Sequence, residues 1–133
     1  MNAQIESGFV AILQAVMPSV PVREATSSLP LHGDIQIAIV ECPEVEHVVG
    51  PLHRATVSIH LGTPAFEEGE ARHKETSALL AAALVSNESA QSIFNSASGG
   101  PFLRGFHVRS QSEKIVESTW RSTLELVAGI CSG

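Results

Sequence analysis

The side chains best suited to catalysis or metal binding in this sequence are its histidines, and their spacing does not build a site. Six histidines are spread over 133 residues. His53 and His60 share one alternating stretch but stand seven positions apart, so a β-strand would point them to opposite faces. His73 lies in a helical stretch that lacks the His-Glu-x-x-His spacing of metal-binding helices. We expect His53 and His60 to be surface or partly buried imidazoles, and His73 to lie on a solvated helix face.

The other candidate residues for chemistry are also isolated from one another. Cys42 and Cys131 have the spacing of neither a zinc site nor a redox pair, which indicates free or buried thiols in a reducing compartment. The Ser-Gly-Gly of residues 98–100 leads towards a strand and lacks a following Gly-Lys-Ser/Thr, which is typical of a connector and not of a phosphate loop. Asp34 is the only aspartate and falls in a predicted loop, so no carboxylate pair is indicated. The sequence predicts no catalytic, cofactor-binding or metal-binding residues, and no enzyme.

Trp120 is the only tryptophan of a chain without tyrosine, and it has two possible roles. A lone tryptophan can anchor an interface with another protein. Trp120 also shares the apolar face of a predicted strand with Val116 and Leu124, which favours a place in the core.

The predicted strands are organised around a long C-terminal β-hairpin, residues 103–130. Its second arm alternates between an apolar and a polar face. The apolar positions are Val116, Trp120, Leu124, Leu126 and Ile130. The polar run at residues 112–114 predicts the turn. A second arm of about 15 residues is some three times the usual strand length, so it must bend across the fold or project beyond it.

Upstream of the hairpin, periodicity predicts both helices and strands. The N-terminal stretch places apolar residues at helical spacing until Pro18, and residues 67–86 form the main helix. Glu67, Glu68 and Glu70 begin that helix, with Glu68–Arg72 and Glu70–Lys74 as i,i+4 pairs. The other expected elements are a loop at 18–34 with a short extended piece at 20–22, a strand from 35 limited by Pro43, a turn-rich stretch at 44–51, a half-buried strand at 54–61, and a short helix from Ser89 to Phe94.

This order predicts an α+β fold, a mostly antiparallel β-sheet with a long C-terminal hairpin and helices packed on one face. The length suits one domain spanning residues 1–133, and no repeat or long linker divides it. We expect Trp120, Leu124 and Leu126 to be buried beneath the helices that carry Phe9, Ile12 and Leu79, because those helices have matching apolar stripes.

The charge balance argues against a protein that grips nucleic acid. Eight lysines and arginines face 14 acids, a formal charge of −6, whereas DNA binding needs clustered cations against phosphates. The start of the chain lacks the basic and apolar segments of a signal peptide, and no run of 18 apolar residues occurs, so a cytosolic protein is expected. Two classes of function remain: a structural or assembly protein, and a small enzyme or ligand-binding domain whose site is dispersed. Size-exclusion chromatography separates them, because an assembly protein should oligomerise or bind a partner.

The layout of the chain resembles the tail terminator (tail completion) proteins of tailed bacteriophages and phage-like particles. The likeness spans nearly the whole sequence. It comprises the amphipathic N-terminal helix, the proline-rich loop, residues 35–41 and 51–59, the acidic-to-alanine helix, residues 105–108 and the closing residues 120–127. The likeness lies in the order of the predicted elements and in the kinds of residue that each contains. It includes no motif of the catalytic type.

The resemblance implies a structural virion protein that forms a ring, commonly a hexamer, at the head-proximal end of the tail tube. Such a ring ends tube growth and offers the docking surface for the head connector or stopper. Its implied partners are other copies of itself, the tube protein and the connector, while DNA passes through the channel without specific binding. The hairpin's second arm, the loop at 18–34 and the stretch at 44–51 would be contact elements. Another head–tail connector or a tube subunit is the neighbouring alternative.

Overall fold

Three helices cover one face of a five-stranded β-sheet in the computed structural model of the chain. The structure describes residues 1–25, 35–65, 68–84, 87–116 and 119–132. The elements are α1 (Asn2–Val16), β1 (Val22–Glu24), β2 (Ile37–Val49), β3 (Leu52–Pro64), α2 (Gly69–Ala83), α3 (Asn87–Ala97), β4 (Phe102–Val116) and β5 (Thr119–Cys131). The predicted α+β fold with a mostly antiparallel sheet is confirmed.

The strands lie in the order β1-β2-β3-β5-β4, so the short β1 and the long β4 form the two edges. β1 runs parallel to β2, and the three other pairings are antiparallel. β1 begins where the predicted extended piece at 20–22 ends. Residues 26–34 of the predicted loop, with Asp34, lie outside the described residues.

The C-terminal hairpin is present, but its turn was predicted in the wrong place. β4 and β5 stay paired from Phe102 opposite Cys131 to Val116 opposite Thr119. Residues 112–114, the predicted turn, are therefore part of β4, which stays paired as far as Val116. The side chains of residues 112–114 are exposed on both faces of this part of β4, so their polarity indicated exposure rather than a turn.

The strand predicted to stop at Pro43 instead continues to Val49. The register with β3 shifts between Glu41 and Glu44, which places Pro43 in a bulge. A proline is tolerated there because a bulged residue need not donate a ladder hydrogen bond. The prediction of a loop at 44–51 is therefore wrong. It is the end of β2 followed by a two-residue turn at Gly50 and Pro51, in which Gly50 has a φ of 56°.

Both later helices differ from their predicted limits. α2 begins at Gly69 because Glu68 has a left-handed backbone, with a φ of 68°. Glu70 stays in the first turn and its carboxylate lies 3.0 Å from Lys74 Nζ, which confirms that pair. Glu68 lies outside the helix, where its carbonyl accepts the Arg72 backbone N–H at 3.0 Å. α3 begins at Asn87, so Ser89 lies inside the helix and does not cap it.

The core lies between the helices and one face of the sheet. Leu124 and Leu126 are buried there as predicted, but Trp120 is only partly buried and lies outside the core cluster. The prediction for Leu79 is also wrong, because it is 48% exposed while the neighbouring Leu80 is fully buried. The largest fully buried side chains are Phe9, Phe94, Ile5, Ile12, Leu13, Met17, Ile59, Leu61, Leu80, Leu103, Leu124 and Leu126.

Helix α1 packs closely on α3 because Gly8 has no side chain. A Cβ at this position would clash with the Phe94 ring. The adjacent Phe9 meets Phe94 and Phe106 edge to face, with ring centroids 5.4 and 5.7 Å apart. This arrangement of rings is a favourable one, and it ties α1 to both α3 and β4.

Candidate functional site

The most densely connected polar group of the molecule is centred on His73, beneath helix α2. The imidazole is fully buried, so the prediction of a solvated helix face is wrong. Its Nδ1 lies 2.7 Å from Thr63 Oγ1 at the end of β3, and its Nε2 lies 2.6 Å from Ser122 Oγ near the start of β5. One side chain of α2 thus bonds to two strands of the sheet.

Further buried side chains extend this network in both directions. Gln36 donates its amide N–H to Thr63 Oγ1 at 2.8 Å and accepts the Thr76 hydroxyl at 3.2 Å. On the other side, Ser77 Oγ lies 3.3 Å from Ser122 Oγ. The His73 cluster therefore consists of Gln36, Thr63, His73, Thr76, Ser77 and Ser122, all of which are buried.

The donors and acceptors of the cluster fit one tautomer of His73. Thr63 accepts from Gln36, so its own hydroxyl hydrogen is available to His73 Nδ1. Nε2 then carries the imidazole proton and donates to Ser122, whose hydroxyl donates to a Glu113 carboxylate oxygen at 3.5 Å. The opposite tautomer would leave the Thr63 hydroxyl without an acceptor in the described part of the chain.

Electrostatics favour the neutral imidazole. Burial lowers the pKa of His73 below its usual 6.5, and the opposing effect of Glu113 is smaller. The Glu113 carboxylate lies 4.0 Å from His73 Nε2 and is 38% exposed, so water screens part of its charge. The fold therefore holds His73 uncharged at neutral pH.

The geometry of the cluster suits the fixing of α2 more than nucleophilic attack. A serine nucleophile needs a base that accepts its proton, whereas here His73 donates to Ser122. Ser122 is also only 2% exposed. Each intramolecular hydrogen bond contributes about 1 kcal/mol to stability, and a buried group left without a partner costs more than that. The cluster therefore fixes the orientation of α2 on β3 and β5.

A signal for this cluster was present in the sequence. Thr63 continues the apolar face of Ala55, Val57, Ile59 and Leu61 along β3, and Ser122 interrupts the apolar face of β5 between Trp120 and Leu124. Small polar residues on two otherwise apolar faces indicate a buried polar partner between them. The sequence alone does not show that Thr63 and Ser122 both lie under the same helix, so the cluster could not be assembled from it.

The other described histidines, His47, His53, His60 and His107, are not members of the His73 cluster. His53 and His60 point to opposite faces of β3, as expected from their spacing. His53 meets the His47 ring edge to face at 5.2 Å beside the β2–β3 turn. His60 lies 3.2 Å from Thr123 Oγ1, and burial lowers its pKa. Within the described residues, no group of three or more His, Cys, Asp and Glu side chains is arranged to hold a metal ion.

The two cysteines have different environments. Cys42 is buried, and its backbone N–H donates to the Glu6 carboxylate at 3.0 Å. Burial, with a smaller contribution from Glu6, raises the pKa of the Cys42 thiol to about 11. Cys131 is a partly exposed free thiol at the end of β5. Ser98, whose hydroxyl donates to the Pro101 carbonyl at 2.6 Å, begins the connection from α3 to β4.

An open groove lies beside the cluster, between the start of α2 and the end of the β4–β5 hairpin. Its volume is about 660 Å³, and its lining includes Trp120, Ile115, Ala65 and Ala71. The Trp120 ring lies over His73, with centroids 6.3 Å apart. Trp120 is therefore placed at a surface groove and is not part of the core cluster.

Comparison with known proteins adds no family to these observations. No protein-family model matches the chain, and no curated protein matches it. Among the described helices, none is both long and apolar enough to cross a membrane.

Proposed function

We propose that this chain is a structural virion protein that forms a ring at the head-proximal end of a phage tail tube. In this role it ends tube polymerisation and provides the docking surface for the head connector. It assembles in the host cytoplasm and stays in the neck of the particle. The resemblance of the sequence layout to that of tail terminator proteins supports the proposal.

The observation that carries the proposal is the open edge of β4. This 15-residue strand forms one edge of the sheet, and residues 107–115 are all exposed. Among the described residues, side chains of α3 bond to its backbone only at the beginning, where Asn95 accepts from Leu103 N–H and Gln91 donates to the carbonyls of Leu103 and Arg104. A long edge strand without cover is a site at which another chain can bind. β4 therefore supports an assembly role.

The mechanism of termination follows from the geometry of stacked rings. A tube grows because each ring presents to the next the same surface that it bound, so a head-to-tail stack has no natural end. A ring that matches the tube on one side and differs on the other removes the growing surface. The differing side is then available to the head connector.

The charge of the chain is compatible with passage of DNA through such a ring. A chain with a formal charge of −6 can present a channel wall that binds phosphates weakly or repels them. Tight cationic contacts would slow the passage of DNA.

Deletion of the gene from the particle that encodes it tests the proposal. We expect electron micrographs of the lysate to show filled heads beside unattached tails, with some tails longer than normal. Complementation with the intact gene should restore joined particles of normal length. Joined particles of normal length in the deletion lysate would contradict the role, and a complete absence of tails would favour a tube subunit instead.

A further inference from the structure

We propose that the β2–β3 turn of one subunit inserts into the groove between α2 and the β4–β5 hairpin of the next subunit. The inserted element is residues 47–54, the turn knob. The receiving surface is the hairpin groove, lined by Ala65, Glu68, Gly69, Glu70, Ala71, Lys74, Ile115 and Trp120. This contact rests on the proposed ring and specifies how its subunits join.

The turn knob is an exposed turn at the end of the sheet, where the Ser132 N–H donates to the Pro51 carbonyl at 2.9 Å. Val48 is 44% and Val49 is 66% exposed, beside the two-residue turn. His47 Nε2 bonds to the Gly50 carbonyl at 2.8 Å, and His53 Nδ1 bonds to the Pro51 carbonyl at 3.1 Å. These bonds hold the turn from both strands, so little conformational entropy is lost when it binds.

The hairpin groove has the features of a receiving surface. Ile115 is 55% exposed and stands opposite the partly buried Trp120 in the hairpin. Tryptophan in a partly enclosed, apolar setting is the residue type that most often dominates binding between proteins. The volume of about 660 Å³ is enough for the side chains of a short turn.

The two surfaces lie at opposite ends of the same strand. The tip of the turn knob, residues 49–51, precedes β3 and Ala65 of the groove follows it, so the 13 residues of β3 separate them by roughly 40 Å. One molecule cannot fill its own groove across that distance. A contact between two different surfaces of identical chains is heterologous, and such contacts close into rings when the rotation between subunits permits.

Charge supports a second copy as the occupant. The groove contains Glu68 in addition to the Glu70–Lys74 pair, which leaves one net negative charge. The knob carries Arg54, which is exposed and forms no ion pair with any described residue. The net negative charge of the groove thus faces the Arg54 cation of the knob, which favours this orientation over knob against knob.

A mixing experiment with two exposed substitutions tests the contact. Val49→Asp blocks the knob and leaves the groove intact, whereas Ile115→Asp blocks the groove and leaves the knob intact. Each variant alone should lose ring assembly, with self-association weakened by roughly 30-fold or more, the loss typical of one anchoring side chain. Mixed in equal amounts, they should form a one-to-one heterodimer, because one intact knob and one intact groove remain. Native mass spectrometry measures each species.

Leu79→Asp is the matched control, since Leu79 is 48% exposed on α2 and lies neither in these two surfaces nor on the β4 edge. It should assemble as the unsubstituted chain does. Circular dichroism and thermal melting establish that each variant is folded, and Val48→Asp serves as a second knob variant. Rings formed by Val49→Asp, or a folded mixture that stays monomeric, would overturn the contact while leaving the ring in place. An unsubstituted chain that is monomeric at every concentration would overturn the ring and the contact together.

Discussion

His73 makes the stability of the fold depend on pH. Burial lowers its pKa below 6.5, so the folded chain binds fewer protons than the unfolded chain at mildly acidic pH. The stabilisation is complete above pH 6.5 and is lost as the pH falls below it. We expect the melting temperature to fall between pH 7.5 and pH 5.5, as measured by circular dichroism.

His73→Gln identifies the source of this pH dependence. A glutamine can still bond to neighbouring hydroxyls but does not titrate, so the variant should show a shallower fall. Part of the fall should remain, since burial lowers the pKa of His60 in the same direction. His107→Gln changes an exposed imidazole and is the control. An unchanged pH profile in His73→Gln would show that this imidazole does not couple protonation to folding.

The two thiols should differ sharply in reactivity. Thiolates are the reactive form, and a pKa of about 11 with a buried position leaves Cys42 almost entirely protonated. Iodoacetamide at pH 8 should therefore modify only Cys131 in the folded chain and both cysteines in denaturant, as counted by mass spectrometry. Cys131→Ser should remain unmodified while folded. Rapid native labelling of Cys42 would contradict its burial.

At the scale of the elements, strand β5 contributes buried leucine side chains to the core. Leu124 is 1% exposed and lies on the face that the helices cover. Leu124→Ala should lower the free energy of unfolding by about 2–5 kcal/mol, because it removes buried methyl groups and leaves a cavity. Leu79→Ala is the matched control on an exposed leucine, with an expected change of about 0.5 kcal/mol or less. Urea denaturation measures both, and equal losses would contradict the assigned core.

Periodicity predicted the elements whose two faces differ in burial. The alternation along β3 and β5 predicted both strands and the face of each that is buried. It did so because both strands lie inside the sheet and helices cover one face of it. It failed where another constraint decided the conformation. Polar residues of the edge strand β4 resembled a turn, and Pro43 resembled a strand end although a bulge accommodates it. Local sequence does not distinguish these cases, since the difference lies in the neighbouring strand.

The site was harder to predict than the fold for the same reason. The His73 cluster joins residues that are far apart in sequence, with Gln36 and Ser122 both reaching the middle of α2 through one or two hydrogen bonds. Each member alone is an ordinary polar residue. Only the register of β3 against β5, which sets Thr63 beside Trp120 and Leu61 beside Ser122, brings them under one helix.

At the scale of the whole molecule, several features point towards assembly. β4 offers an open edge, and the exposed apolar residues Val49 and Ile115 lie at opposite ends of the sheet. The exposed apolar surface is thus placed where subunits could meet, while the polar cluster that most resembles an active site is closed to solvent. These features together favour a subunit of a larger structure.

Negative-stain electron microscopy of the purified protein tests the ring most directly. The account predicts closed rings of uniform size with a central hole, whose mass by light scattering is a whole multiple of 14.1 kDa. The particles should not grow into filaments as the protein concentration rises, because a terminating ring does not stack indefinitely. A monodisperse monomer at high concentration, or open filaments without a fixed size, would contradict the account.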